Sequence, residues 1–148
     1  MGADDLAPLA SPLASTVRVL ALRLRPGTDL RAGLEATARE HALAAAAVAT
    51  CVGSLERAAL RLAGAETTTT LEGPLEIVSL VGTLSPDGPH LHVAVADREG
   101  RVTGGHLLAG SPVHTTAEVV VLSLPHLAFT RALDPATGWK ELVIRRRE

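Results

Sequence analysis

Residues 90–107 read HLHVAVADREGRVTGGHL, and the fold turns on how they are paired. Two runs of alternating character flank Asp97-Arg98-Glu99-Gly100. In a strand, residues two apart share a face. His90 and His92 therefore point one way, and Leu91, Val93 and Val95 point the other way, toward a core. Asp97 to Gly100 fits a three-residue hairpin loop with Gly100 in the left-handed bulge position. Asp97 then pairs with Arg101. Counting back, Val95 faces Thr103, Ala94 faces Gly104, and His92 falls directly opposite His106. A two-residue turn would shift the register by one and turn His106 to the other face.

Directly opposed residues have Cβ atoms about 5 Å apart, and diagonal neighbours about 7–8 Å. Imidazoles at His90, His92 and His106 can then converge on one metal ion. Ala94, Ala96 and Gly104 line the same face, and their small side chains leave room beside the metal for water or a ligand. Zinc held by three histidines with an open fourth position is the arrangement of catalytic sites rather than closed structural ones. Such a metal acidifies bound water or polarises a carbonyl. The expected cofactor is zinc or another divalent transition metal. His114 and His126 have no comparable geometry. A general acid or base would be wanted beside the metal, and Glu76 and Glu118 are the catalytic candidates, each inside an apolar strand. A buried carboxylate needs a partner. One reading gives these acids an ion pair, with Arg23 for instance, or a subunit contact. The other has them supporting a metal ligand or moving a proton at the metal.

Outward from the hairpin, the chain reads as strands with one helix. Thr16–Leu24 alternates as a strand, and Pro26-Gly27 stops it. Thr28 or Asp29 can cap a helix starting near Leu30, whose apolar positions Leu30, Leu34, Ala38 and Ala42 recur at helical spacing and which ends near His41. Ala44–Leu62 reads as two strand segments with a bend or bulge at Gly53. Glu66–Glu72 reads as an exposed strand, Gly73-Pro74 as a turn, and Leu75–Leu84 as another strand. Ser85-Pro86-Asp87-Gly88-Pro89 is a turn before the histidine hairpin. Val113–Leu124 is a long strand whose run Val119-Val120-Val121-Leu122 implies burial on both faces, by the core and by a subunit. A short strand to Arg131, a loop through Asp134–Gly138 and a last strand Trp139–Ile144 complete the chain. The expectation is an α+β domain over residues 16–145: a mostly antiparallel sheet with one main flanking helix, a loose leader over 1–15 and a basic tail over 146–148.

Composition narrows the function classes. The 148 residues suit one domain, and 47% apolar with 20% charged residues is a globular balance. Trp139 and Phe129 are the only aromatics among Phe, Tyr and Trp, so the core must be Leu, Val and Ala, and no aromatic platform exists for stacking bases. A net charge of −2 argues against strong sequence-independent affinity for phosphate backbones. Arg145-Arg146-Arg147 reads as a solvated tail. Cys51, the single cysteine, rules out an intrachain disulfide and fits a reducing compartment; its apolar surroundings suggest a buried inert thiol. With no membrane-spanning run and an acidic rather than basic start, the expected location is the cytoplasm.

Several segments resemble one family. Arg25-Pro26-Gly27, Gly53-Ser54-Leu55, the run from Gly73 to Leu80, His90-Leu91-His92 with Gly104-Gly105-His106-Leu107, and Thr115 to Val120 are similar to the PPC (plants and prokaryotes conserved) domain, in order and over about Val17 to Leu142. The resemblance implies a homotrimer built on an antiparallel sheet with a flanking helix. It also implies metal binding at His90, His92 and His106. The fold is similar to that of acetolactate decarboxylase, which holds zinc with an HxH plus H set. Plant members join the domain to AT-hooks that bind DNA, the domain itself serving assembly and protein partnering. This sequence has no Arg-Gly-Arg-Pro hook, and it has Gly-Pro-Leu where plant proteins carry Gly-Arg-Phe. Three functions stand as expectations: a trimeric metal protein acting as a small-molecule lyase or hydrolase, a DNA-associated regulatory or protein-interaction module, and a structural trimer with a vestigial histidine cluster. The missing hook and acidic charge favour the first over the second.

Overall fold

Alternating Val, Leu and Ala runs broken by Gly and Pro build strands here, and among the described residues a single capped stretch builds a helix. The structure, a computed structural model, describes residues 12–147. In chain order the elements are β1 (Arg18–Leu24), α1 (Leu30–Glu40), β2 (Ala46–Arg61), β3 (Thr69–Leu84), β4 (His90–Ala96), β5 (Val102–Leu107), β6 (Val113–Ser123), β7 (Leu127–Leu133) and β8 (Lys140–Arg146). The first six strands form one sheet in the order β1-β6-β2-β3-β4-β5. The far end of β2 also pairs with β5, through Leu60 opposite Leu107 and Arg61 opposite His106. That extra pairing closes β2, β3, β4 and β5 into a ring. β7 and β8 form a separate antiparallel hairpin. The α+β reading, a mostly antiparallel sheet with one helix, is what the structure has. Among the described residues, no helix is long and apolar enough to cross a membrane.

The helix begins where expected. Asp29 is its cap: one carboxylate oxygen accepts from the Ala32 N–H at 2.9 Å. The other accepts from the Gly110 and Ser111 N–H groups, both at 2.7 Å, so one side chain fixes α1 to the loop before β6. Leu30, Leu34 and Ala38 recur at i, i+4 and i+8 and are buried. They cover one side of the sheet, where Leu55, Leu60, Leu91, Val95, Leu107, Val119 and Val121 are almost wholly shielded from solvent. A smaller cluster of Ala45, Leu127 and Phe129, with Leu124 and Leu142, fastens the β7–β8 hairpin to the domain. Cys51 is buried, and burial pushes its thiol up to about 11. It is a core atom group, not a nucleophile.

Several expectations are corrected. Gly73-Pro74 does not turn the chain, because β3 runs straight through it. Leu55 pairs with Leu75 and Arg57 with Glu72, so Gly73 and Pro74 bulge opposite Glu56. A bulge leaves residues without ladder partners, which suits a proline that has no N–H to give. Ala44–Leu62 is likewise one strand rather than two, although a register shift does fall at Gly53. The third correction concerns the acids. Glu76 and Glu118 are exposed, because Leu75, Ile77, Ala117 and Val119 take the inward positions of the same strands. Glu118 stands opposite Arg23 in the β1–β6 register, yet the Arg23 guanidinium donates to Thr116 Oγ1 at 2.8 Å instead. Along β6 the core takes one face, with Val119 and Val121 buried, and Val120 and Leu122 stand half-buried on the opposite face. At the C-terminus β8 extends through Arg146, two residues beyond the expected Ile144, so the strand takes in the first residue of the expected basic tail. Residues 1–11 of the expected leader lie outside the described residues.

Candidate metal centre

The hairpin has the register that its turn chemistry dictates. Gly100 takes φ 77°, the left-handed conformation that a side chain resists. The Asp97 N–H donates to the Arg101 carbonyl at 3.0 Å and the Gly100 N–H to the Asp97 carbonyl at 2.9 Å. Asp97 also accepts the Arg101 guanidinium at 2.8 Å, which locks the turn. Val95 then faces Thr103, Ala94 faces Gly104, and His92 faces His106. On the other side of β4, Val81 faces His92 and Thr83 faces His90. The histidines therefore stand on the outer surface of the ring, opposite the packed face of β4.

The three rings meet. Their centroids lie 5.1 Å apart for His90 and His92, 5.1 Å for His90 and His106, and 5.6 Å for His92 and His106. One nitrogen from each lies within 4.8 Å of the others. His106 Nδ1 is buried and has no hydrogen-bond partner. A buried imidazole nitrogen without a partner is costly, and a metal would relieve it. His106 and His90 are also held in the form a metal needs. Burial, then the Arg61 guanidinium, then the neighbouring histidines and Arg31 push His106 down to about 4. Burial, Arg131 and His92 lower His90. Neutral imidazole is the ligating form, so the donor set fits zinc or a related ion.

The sign of the pH effect follows. His106 titrates lower in the folded protein than in the unfolded chain, where 6.5 is its ordinary value. The folded state therefore binds fewer protons, and stability is complete above about pH 6.5 and falls as pH drops toward 4. Metal-free protein is expected to lose melting temperature over that window. The loss should be shallower in His106→Gln, read by circular dichroism melts at stepped pH.

Around the rings lie residues that the sequence did not single out. Two adjoining clefts of about 580 and 560 Å³ share Arg61, His90, His106 and Trp139. Gly104 and Gly105 form part of one wall, as small residues should, while Ala94 and Ala96 lie further along the strand and do not line it. Arg61 is on β2, directly opposite His106. Its guanidinium carbon sits 5.9 Å from the centre of the Trp139 ring, within cation–π range. Arg131 reaches in from β7, with one nitrogen 2.9 Å from His90 Nδ1 and 3.3 Å from Thr83 Oγ1. Arg31 donates to the Pro89 carbonyl at 3.0 Å. Neither Glu76 nor Glu118 lines these clefts; the acids that do are Glu66, Asp87 and Glu141. His114 and His126 are exposed elsewhere.

The Plants and Prokaryotes Conserved domain model matches residues 13–125, three-quarters or so of the chain. The chain belongs to that family. It is 49% identical over 131 residues to a bifunctional protein GlmU from a Synechococcus strain, covering 88% of this chain but only 21% of that one. The chain thus spans about a fifth of the curated relatives it matches. A Salmonella protein described as hypothetical has the same fold, with a TM-score of 0.90 and 46% identity over 92% of this chain and 99% of that one. A protein described as metal-containing, from Archaeoglobus fulgidus, superposes with a TM-score of 0.79 at 31% identity, over 90% of this chain and 99% of that one. In this PPC-type chain the β7–β8 hairpin, which supplies Arg131, Trp139, Lys140 and Glu141 to the clefts, lies beyond the matched residues 13–125.

Proposed function

We propose that this PPC-domain protein holds one divalent transition metal, zinc by preference, on His90, His92 and His106, and that it works on a small molecule as a lyase or hydrolase. The carrying observation is the convergence of three imidazoles with a buried, partnerless His106 Nδ1. A similar protein described as metal-containing supports it. A metal there would supply a Lewis acid or an activated water. The chain's own residues bound the open side: Trp139 and the glycines shape it, and Arg61 and Arg131 make it cationic. A net charge of −2 supports a small-molecule site over duplex DNA as the partner.

The proposal includes a homotrimer in the cytoplasm. Val19, Val52, Val78, Val81 and Val102 are each more than half exposed, all lying on strands of the main sheet. That much exposed valine favours burial against another copy. Native mass spectrometry after zinc reconstitution is expected to give three chains of 15.3 kDa with one zinc per chain. A chain that carries no stoichiometric zinc, or the same zinc after His92→Ala, would sink the metal reading; a monomer would sink the trimer.

A further inference from the structure

Arg131 and a metal compete for the same imidazole. A guanidinium can only donate, so the 2.9 Å contact makes His90 Nδ1 an acceptor. A neutral ring has one lone-pair nitrogen, so Nε2 then carries the proton and cannot ligate. If His90 is to bind a metal through either nitrogen, the Arg131 contact must open. The released guanidinium stays tethered beside the site, because the Arg131 backbone N–H is held by the Asp87 carboxylate at 2.7 Å. Arg61 flanks the same space from β2. A dication and two guanidinium groups in one cleft repel each other, and an anion between them relieves that.

The nearby acids lower the positive charge of the cleft, Glu141 acting at His90 itself, but none of them pairs with either guanidinium. Asp87 is engaged with the Arg131 backbone. The Glu141 carboxylate accepts from Thr137 Oγ1 at 3.0 Å. Glu66 is exposed and lines the cleft that Arg61 also lines. Among the described residues, neither Arg61 nor Arg131 has a carboxylate within ion-pair distance; the pairs that form are those of Arg101 with Asp97 and Glu99. We propose that metal entry at the three histidines frees Arg131 to receive a small oxyanion, a carboxylate or a phosphate, so that metal and anion bind cooperatively in one cleft. This rests on the metal reading above. It also places the anion grip on the β7–β8 hairpin, outside the residues 13–125 that match the family.

The test is a zinc titration against a competing chelator in chloride, acetate or inorganic phosphate at constant ionic strength, corrected for zinc–anion complexes. Acetate or phosphate is expected to raise zinc affinity about tenfold over chloride, and whichever does so names the anion class. Arg131→Ala is expected to tighten zinc about tenfold in chloride, by removing the competing hydrogen bond, and to abolish the anion effect. The single tryptophan, Trp139, should change its fluorescence on adding the effective anion only when zinc is bound. Equal zinc affinity in all three salts would overturn the coupling and leave the metal reading standing; that result would follow if Glu141 captured the freed guanidinium. No zinc binding in any salt would overturn both. The salt comparison on the unmutated protein decides the matter even if the variant does not fold.

Discussion

Gly53→Ala is expected to destabilise the domain by about 3–5 kcal/mol, at the upper end of single substitutions. Gly53 sits on β2 at the register shift against β6, with φ 155°. A Cβ there would overlap the Thr116 carbonyl oxygen and stand 2.8 Å from Ala117 Cα. Both obstacles are backbone of the neighbouring strand, so no side chain can rotate away. β2 and β6 would have to part near the middle of the sheet, where Ala117 and Val119 are buried. A typical domain has only about 5–15 kcal/mol to lose. Gly100→Ala is the internal comparison. Gly100 is also left-handed, at φ 77°, but a Cβ there would meet nothing within 4 Å. That change should cost only about 1–2 kcal/mol, the intrinsic conformational penalty. Urea unfolding of the two variants separates the mechanisms. Equal midpoints would show that the strand contact at Gly53 is unimportant.

The same contrast explains what the sequence discloses. A turn with a left-handed glycine fixes strand register locally, so the juxtaposition of His92 and His106 could be counted from Asp97 and Gly100. Helix α1 was legible for a similar reason: Asp29 and the Leu30, Leu34, Ala38 spacing are local signals. The direction of Glu76 and Glu118 was legible in principle, since strict alternation with Ile77 and Val119 puts them outside, but the apolar density of those strands hid it. Pro74 misled because proline ordinarily ends a strand, whereas a bulge opposite Glu56 accommodates it. Arg131 and Arg61 carried no signal. Arg131 lies 41 residues from His90, and Arg61 meets His106 only because β2 curls far enough to pair with β5. Such contacts come from closure of the ring and docking of a separate hairpin, which no local pattern encodes.

That ring closure also sets up the sharpest functional contrast. His106→Ala is expected to weaken zinc binding by at least about 100-fold, more than is usual for losing a residue that merely supports a ligand, with little loss of stability in metal-free protein. The fold makes no demand on His106 Nδ1, which is buried without a partner, so its removal discards a cost rather than a contact. The neighbouring Leu107, wholly buried, keeps β5 in place. His92→Ala should behave alike, since that ring faces His106 across the hairpin. Because zinc binds only the folded chain, the shift in melting temperature with added zinc should shrink in both variants. His114→Ala and His126→Ala, exposed and away from the cluster, should leave zinc affinity unchanged. Competition titration measures all four. A His106→Ala protein that is stable when metal-free, yet binds zinc as tightly as the unmodified chain, would mean that the three rings are gathered for some purpose other than holding a metal.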